Sequence, residues 1–163
     1  MTYAANTEVS PDRSRAEIER TLRRYGANAF MYGWEGARAM IGFQVQGRRY
    51  RIALPLPPRD SPEFALTPAR RQRRGAPAIQ ASWQQATRQR WRALALWIKA
   101  VLEAAEAGIT SIEEALQPFV MLPGGQTVGE WMAPQIEVAY RTGRMPPMLP
   151  MLPAPREEAK EDA

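Results

Sequence analysis

The sequence predicts an α+β fold: an N-terminal helix, a three-stranded antiparallel meander, a long amphipathic helix, two shorter C-terminal helices and an extended arm. Apolar residues recur at helical spacing before residue 25 and after residue 82, but alternate with a period of two between residues 29 and 54. X-Gly pairs separate the alternating runs and supply the tight turns of a meander.

The length of 163 residues is sufficient for one domain with its own core. We expect a single α+β domain over residues 10–144. Residues 1–9 should form a disordered N-terminus, and residues 145–163 an extended arm followed by a charged tail.

The first helix is delimited by its own end signals. Ser10 precedes Pro11 in the order expected of an N-cap and a first helical residue, and Gly26 is a typical stop. These signals predict a helix from about Pro11 to Tyr25.

The meander has turns at Glu35-Gly36 and Gln46-Gly47. The aromatic side of its first strand, with Phe30, Tyr32 and Trp34, is expected to pack on the helices. The opposite side of the sheet would then present a basic and partly apolar surface to solvent. This surface comprises Met31, Arg38, Met40, Gln44, Arg49 and Arg51.

Residues 55–80 are predicted to be an irregular linker because they contain six prolines. Within this linker lies a compact basic cluster that could follow a phosphate backbone or could simply be solvated. Its arginines are Arg70, Arg71, Arg73 and Arg74.

A long amphipathic helix is predicted from Ser82 to about Ala107, before Gly108. Its broad apolar face comprises Trp83, Ala86, Leu94, Trp97, Val101 and Ala104, joined by Trp91, Ile98, Leu102 and Ala105. On the far side, a basic stripe is formed by Arg88, Arg92 and Lys99. Arg90 falls inside the apolar sector, where it must extend to solvent, pair with a carboxylate or reach a ligand, and of these an ion pair is favoured.

Two shorter helices should follow. Ser111 to Leu116 forms the first, and Thr127 with Glu130 matches a capping box that opens the second, which runs to about Arg141. Because the apolar residues of this last helix do not share one face, we expect it to be buried on more than one side. The Met/Pro-rich arm beyond it should be extended and should pack on its own domain or on a partner.

Charge is strongly segregated along the chain. Residues 1–102 contain 18 Lys/Arg and 7 Asp/Glu, a net charge of +11, whereas residues 103–163 contain 4 and 10, a net charge of −6. Such an excess of positive charge favours a partner with a phosphate backbone.

Several functional classes are disfavoured by composition. The chain contains neither Cys nor His, which excludes disulfides, Cys/His zinc sites and thiol or imidazole catalysis. We therefore expect no cofactor, no metal site and no enzymatic activity. There is no signal-peptide pattern and no apolar run long enough to span a bilayer, so we expect a cytoplasmic protein that does not enter a membrane.

The order helix, meander, long helix resembles the double-stranded RNA-binding domain and the core of strand-annealing recombinases. The insertion of residues 55–80 departs from the first of these. The same order opens restriction-nuclease-like cores, but those need carboxylates on the second and third strands. Residues 37–45 and 48–54 contain no Asp or Glu, so a nuclease of that type is not expected.

Four stretches together resemble a family of small proteins of tailed bacteriophages and prophages that has no assigned activity. They span about residues 7–150: Arg24-Tyr25-Gly26 with Tyr32-Gly33-Trp34-Glu35-Gly36, residues 88–99 (RQRWRALALWIK), residues 122–136 (LPGGQTVGEWMAPQI) and residues 142–150 (TGRMPPMLP). The resemblance implies a phage protein in the host cytoplasm, acting in DNA metabolism or on a host machine.

These observations predict a non-enzymatic nucleic-acid-binding protein of phage type, with DNA favoured over RNA as its partner. The alternative is an adaptor or inhibitor that binds a host protein through the arm and the acidic C-terminal region. A carboxylate-metal enzyme using Glu17 or Glu130 is the third interpretation, and self-association stays open. The expected nucleic-acid contacts are Arg38, Arg49, Arg51, Arg70, Arg71, Arg73, Arg74, Arg88, Arg92 and Lys99.

Overall fold

The computed structural model describes Ala4 and residues 7–36, 38–66 and 72–144, and the α+β fold class is confirmed. The predicted arm and tail lie outside these residues. The elements are α1 (Pro11–Arg24), β1 (Ala29–Glu35), β2 (Arg38–Val45), β3 (Arg48–Pro55), α2 (Pro62–Ala65), α3 (Ala76–Glu106), α4 (Ile112–Leu116), a short 3-10 helix (Gln117–Phe119) and α5 (Val128–Thr142).

The three strands form an antiparallel meander with β2 in the centre. Tyr32 and Ile52 both pair with Ile41, which sets the register of the sheet. The second hairpin turns at Gln46 and Gly47, whose φ angles are 51° and 77°. Both values lie in the left-handed region that a two-residue type I′ hairpin requires, so the predicted turn is confirmed.

Helices α1 and α3 lie side by side and run in the same direction. Thr7, just before α1, accepts a hydrogen bond from Gln85, and Tyr25, just after it, donates one to Glu106. Ala4, in the predicted N-terminal tail, is buried as well. The two helices cover one face of the sheet, which we call the inner face, and the opposite face is the outer face.

The core forms between the helices and the inner face. Trp91, Leu94 and Ile98 of α3 meet the alternate residues of β2 and β3 that point inward, such as Ile41 and Ile52. Alternation places every second residue of a strand on the same side, so the remaining residues of β2 and β3 point outward.

The expectation that the aromatic side of β1 packs on the helices is wrong for two of its three residues. Phe30 is partly buried, but Tyr32 is 43% exposed and Trp34 is 69% exposed. Apart from Arg48 beside the second hairpin turn, the inward residues of β2 and β3 are buried, whereas those of the edge strand β1 are covered less completely. Arg15 of α1 lies over the Tyr32 ring.

The linker is more regular than predicted. Proline prevents a helix interior but is tolerated in the first turn, where its missing N–H has no partner to lose. Pro62 starts α2 and Pro77 lies in the first turn of α3, so α3 begins six residues earlier than expected, at Ala76.

Helix α5 is not buried on more than one side, as its pattern had indicated. None of its residues is buried, and Ile136 and Tyr140 are 47% and 89% exposed. It contacts the body of the protein through its start. A Cβ on Gly129 would lie 2.9 Å from the Pro118 carbonyl oxygen, so glycine permits this close approach.

Candidate nucleic-acid interface

The outer face of the sheet presents arginines near both ends and small or apolar residues between them. Cross-strand pairing aligns Arg38 with Pro55 at one end, and Gln44 with Arg49 at the other. These two positions are six residues apart along β2, which corresponds to about 20 Å along the strand. The pairing therefore confirms that the predicted basic and apolar residues share the outer face.

A groove of about 440 Å³ lies on this face. Its outer-face lining includes Met31, Met40, Gly42, Gln44 and Arg49. Met121, from the segment after the 3-10 helix, also lines the groove. The pattern of the strands could not have identified Met121, because its N–H reaches the carbonyl of Arg49 only through a tertiary contact.

The position of Met31 depends on Gly42, its partner on the central strand. A Cβ on Gly42 would lie 2.8 Å from the Cγ of Met31, so a larger residue there would displace the methionine. Met31 lies across the glycine and remains 71% exposed. The groove thus has an apolar, adaptable wall.

Arg38 and Arg49 are the arginines of this face whose guanidinium groups have no partner among the described residues. Both are exposed, and neither side chain forms a hydrogen bond or ion pair with a described residue. An exposed, unpaired guanidinium is available for bidentate contact with a phosphate.

Arg51 has a structural role instead. Its guanidinium donates a 2.9 Å hydrogen bond to the Gly125 carbonyl and one of 2.6 Å to Glu130. Glu130 in turn accepts a hydrogen bond from the backbone N–H of Thr127, completing the predicted capping box of α5. Arg51 therefore ties the start of α5 to the sheet.

These contacts lower the pKa of Glu130, first through the hydrogen bond from the Thr127 backbone and also through Arg51. A carboxylate whose pKa is lower in the folded state stabilises the fold above its unfolded pKa, and this contribution disappears as pH falls through the folded pKa. We expect the difference in unfolding free energy between the wild type and Glu130→Gln to be constant near neutral pH. This difference should shrink as the pH falls below 4.5, the ordinary pKa of a glutamate side chain. Urea titrations at a series of pH values measure it.

The control for this prediction is Glu137→Gln, which removes a negative charge from the same helix. Glu137 is exposed and makes no hydrogen bond or ion pair with a described residue. A stability difference for Glu130→Gln that stays the same in acid would contradict a role for the carboxylate charge.

The basic cluster of the linker is only partly described. Arg70 and Arg71 lie outside the described residues. Arg73 is exposed and pairs through its backbone with Leu66, while the side chain of Arg74 donates a hydrogen bond to Ser82. Arg73 is thus the described member of the cluster whose guanidinium is free.

The basic stripe of α3 is not continuous with the basic surface of the outer face. Because α3 packs on the inner face, Arg88, Arg92 and Lys99 lie in the helical layer on the other side of the sheet. Arg92 is directed towards α1, where it pairs with Glu17 at 2.5 Å. Arg88 contacts Gln85, and Lys99 pairs with Glu103 at 3.7 Å. The predicted contacts on the strands and those on α3 therefore lie on two different sides of the sheet.

Arg90 does not form the expected ion pair with a described residue. It is exposed and donates a 2.9 Å hydrogen bond to the backbone carbonyl of Pro55. This backbone carbonyl at the end of β3 holds the guanidinium, and no carboxylate of a described residue pairs with it.

Ion pairs in the fold join the basic part of the chain to the acidic part. Of the seven ion pairs among the described residues, four join a basic residue before position 103 to a glutamate at or after it. These pairs are Arg24–Glu106, Arg48–Glu113, Arg51–Glu130 and Lys99–Glu103. These pairs offset four of the eleven excess positive charges of the first 102 residues.

Among the described residues, no group of three or more Asp, Glu, His or Cys side chains is placed to hold a metal ion. The carboxylates considered for an enzyme, Glu17 and Glu130, lie in separate ion pairs. No helix in the described ranges has the length and apolar character required to cross a membrane.

The comparisons with known proteins add no relative to this picture. The phage resemblance therefore stays a prediction from the sequence motifs. No protein-family model, no curated protein and no solved structure matches this chain.

Proposed function

We propose that the protein is a non-enzymatic nucleic-acid-binding protein of phage type whose phosphate contacts lie on the outer face of the sheet. The observation that carries this proposal is the pair Arg38 and Arg49. Both are exposed on that face, and their guanidinium groups have no partner among the described residues, whereas five of the other predicted contacts are engaged within the protein.

The spacing of these arginines fits an elongated ligand. The distance of about 20 Å along the sheet corresponds to about six phosphates of one B-DNA strand, at 3.4 Å per phosphate along the axis. Between the arginines, the methionine-lined groove offers apolar surface to sugars or exposed bases.

DNA is favoured over RNA because the motif resemblance implies a phage protein acting in the host cytoplasm. The geometry of the outer face does not depend on that setting. In this role arginines hold the backbone without reading base sequence, so binding should be weakly sequence-selective.

The test is a binding series with nuclease-treated protein and labelled single-stranded and double-stranded DNA and RNA, measured by fluorescence anisotropy. We expect affinity that falls steeply as salt rises, because each phosphate contact releases condensed counterions. Absence of binding at low salt, or affinity that does not change with salt, would overturn the proposal.

A second function is favoured by a separate observation, the apolar lining of the groove around Met31, Met40 and Met121. Methionine-rich surfaces adapt to varied protein partners. An adaptor that binds a host protein would use this groove rather than the acidic residues, several of which already form internal ion pairs. A stoichiometric host protein retained after nuclease treatment, and lost in Gly42→Val, would favour this function.

A further inference from the structure

The two edges of the sheet differ in how they are protected. At the β3 edge, Met121 donates a backbone hydrogen bond to Arg49, and Val120 forms a bridge to Tyr50. At the other edge, no described segment pairs with the free side of β1. An open strand edge carries unpaired N–H and C=O groups that can template another strand.

Strand β1 also lacks the usual devices that prevent such pairing. Its sequence, AFMYGWE, contains no proline, no lysine and no arginine, and its one charge is the terminal Glu35. Apolar side chains project on both faces, with Met31 71% exposed on the outer side and Trp34 69% exposed on the inner side. Exposure of this kind on both faces of an edge strand favours addition of a further strand.

We propose that this edge is occupied by a second copy of the chain, with the two β1 strands paired antiparallel around a twofold axis at Tyr32. The two meanders would then form one continuous six-stranded sheet. The proposal does not rest on nucleic-acid binding.

The argument for a second copy is the self-complementarity of the strand in this register. On the inner side, Phe30 would face Trp34 of the second copy, and Tyr32 would face Tyr32. On the outer side, Met31 of each copy would face Gly33 of the other copy, which has no side chain to obstruct the methionine. Aromatic pairs directly opposite each other are among the stabilising cross-strand contacts.

The neighbouring register centred on Gly33 is less complementary. Moving the axis to Gly33 would place Met31 opposite Glu35, an apolar group against a charge. The axis at Tyr32 places Glu35 opposite Ala29 instead. Arg15, which lies over the Tyr32 ring, pairs with Asp12, so the axis brings two neutralised ion pairs together rather than two bare cations.

The first measurement is the solution mass of the full chain after nuclease treatment, in high salt so that nucleic acid cannot bridge two copies. Sedimentation at micromolar concentrations should give twice the 18.4 kDa of the chain. Met31→Lys should give the monomer, because it places two ammonium groups near the axis. Met40→Lys is the matched control, since Met40 lies on the same face but on the central strand, and should stay dimeric.

A disulfide test checks the register. The chain contains no cysteine, so a single cysteine can cross-link only to its copy. Tyr32→Cys should form a disulfide-linked dimer on a non-reducing gel. Ala29→Cys should not, because the two copies of residue 29 would be about 20 Å apart, far beyond disulfide reach. A monomer at all concentrations, or equal cross-linking at both positions, would overturn the proposal.

Discussion

Replacing Arg38 and Arg49 together by alanine is expected to weaken nucleic-acid binding strongly and to flatten its salt dependence. A hydrogen bond to a charged group contributes about 1.5–3 kcal/mol, so each arginine should account for about a tenfold loss or more at low salt. The slope of log affinity against log salt should fall by about 1.8 on double-stranded DNA and about 1.4 on single strands.

The matched control for this variant removes the same charge from the other side of the molecule. Arg13 and Arg20 are exposed on α1, in the helical layer, and make no side-chain hydrogen bond or ion pair with a described residue. Arg13→Ala/Arg20→Ala should leave the slope close to that of the wild type. Equal losses in the two double variants would show that net charge alone, and not the outer face, determines binding.

Replacing Trp91 by alanine is expected to destabilise the fold by about 3–5 kcal/mol, the usual cost of deleting a buried aromatic side chain. Trp91 is 3% exposed and lies in the core between the helices and the inner face. Because small domains have total stabilities of about 5–15 kcal/mol, this loss is a large share of the whole. Urea unfolding followed by circular dichroism measures it.

Two further variants separate burial from aromatic content. Trp91→Phe keeps much of the ring volume and should lose less than Trp91→Ala. Tyr140 is 89% exposed on α5, so Tyr140→Ala should change the unfolding free energy by no more than about 0.5 kcal/mol. Similar losses at positions 91 and 140 would contradict the placement of Trp91 in the core.

The elements and their ends were predictable because local interactions determine them. Ser10, Thr127 and Gly143 cap helices through hydrogen bonds or backbone conformations that involve residues a few positions away. The Gln46-Gly47 turn depends on two φ angles. The period of two in β2 and β3 was sufficient to place Arg38, Arg49 and Arg51 on the outer face.

The sequence predicted the apolar sector of α3 but not which residues of that sector are buried. The apolar sector of this helix includes both Trp91 and Trp97, yet Trp91 is buried and Trp97 is 37% exposed. Which part of a broad sector meets the sheet depends on how the helix lies across it, and the spacing of residues along one helix carries no such information. The effect of Pro77 could not be predicted for a related reason. Proline ends a helix in its interior but is tolerated in its first turn, and the position at which α3 begins was not known from the sequence.

The sequence by itself determined the order of helices and strands, the caps and turns, and the outer-face position of the arginines, since each follows from contacts between residues close in the chain. The tertiary structure alone decided which of those arginines are free, because Glu17 and Glu130 reach Arg92 and Arg51 across 75 and 79 residues. It also decided that the free edge of β1 has no partner strand among the described residues and that the Tyr32 and Trp34 rings are exposed. Ion pairs and helix coverage depend on the packing of distant segments, and a chain of overall charge +5 can direct its cations inward or outward with the same local pattern.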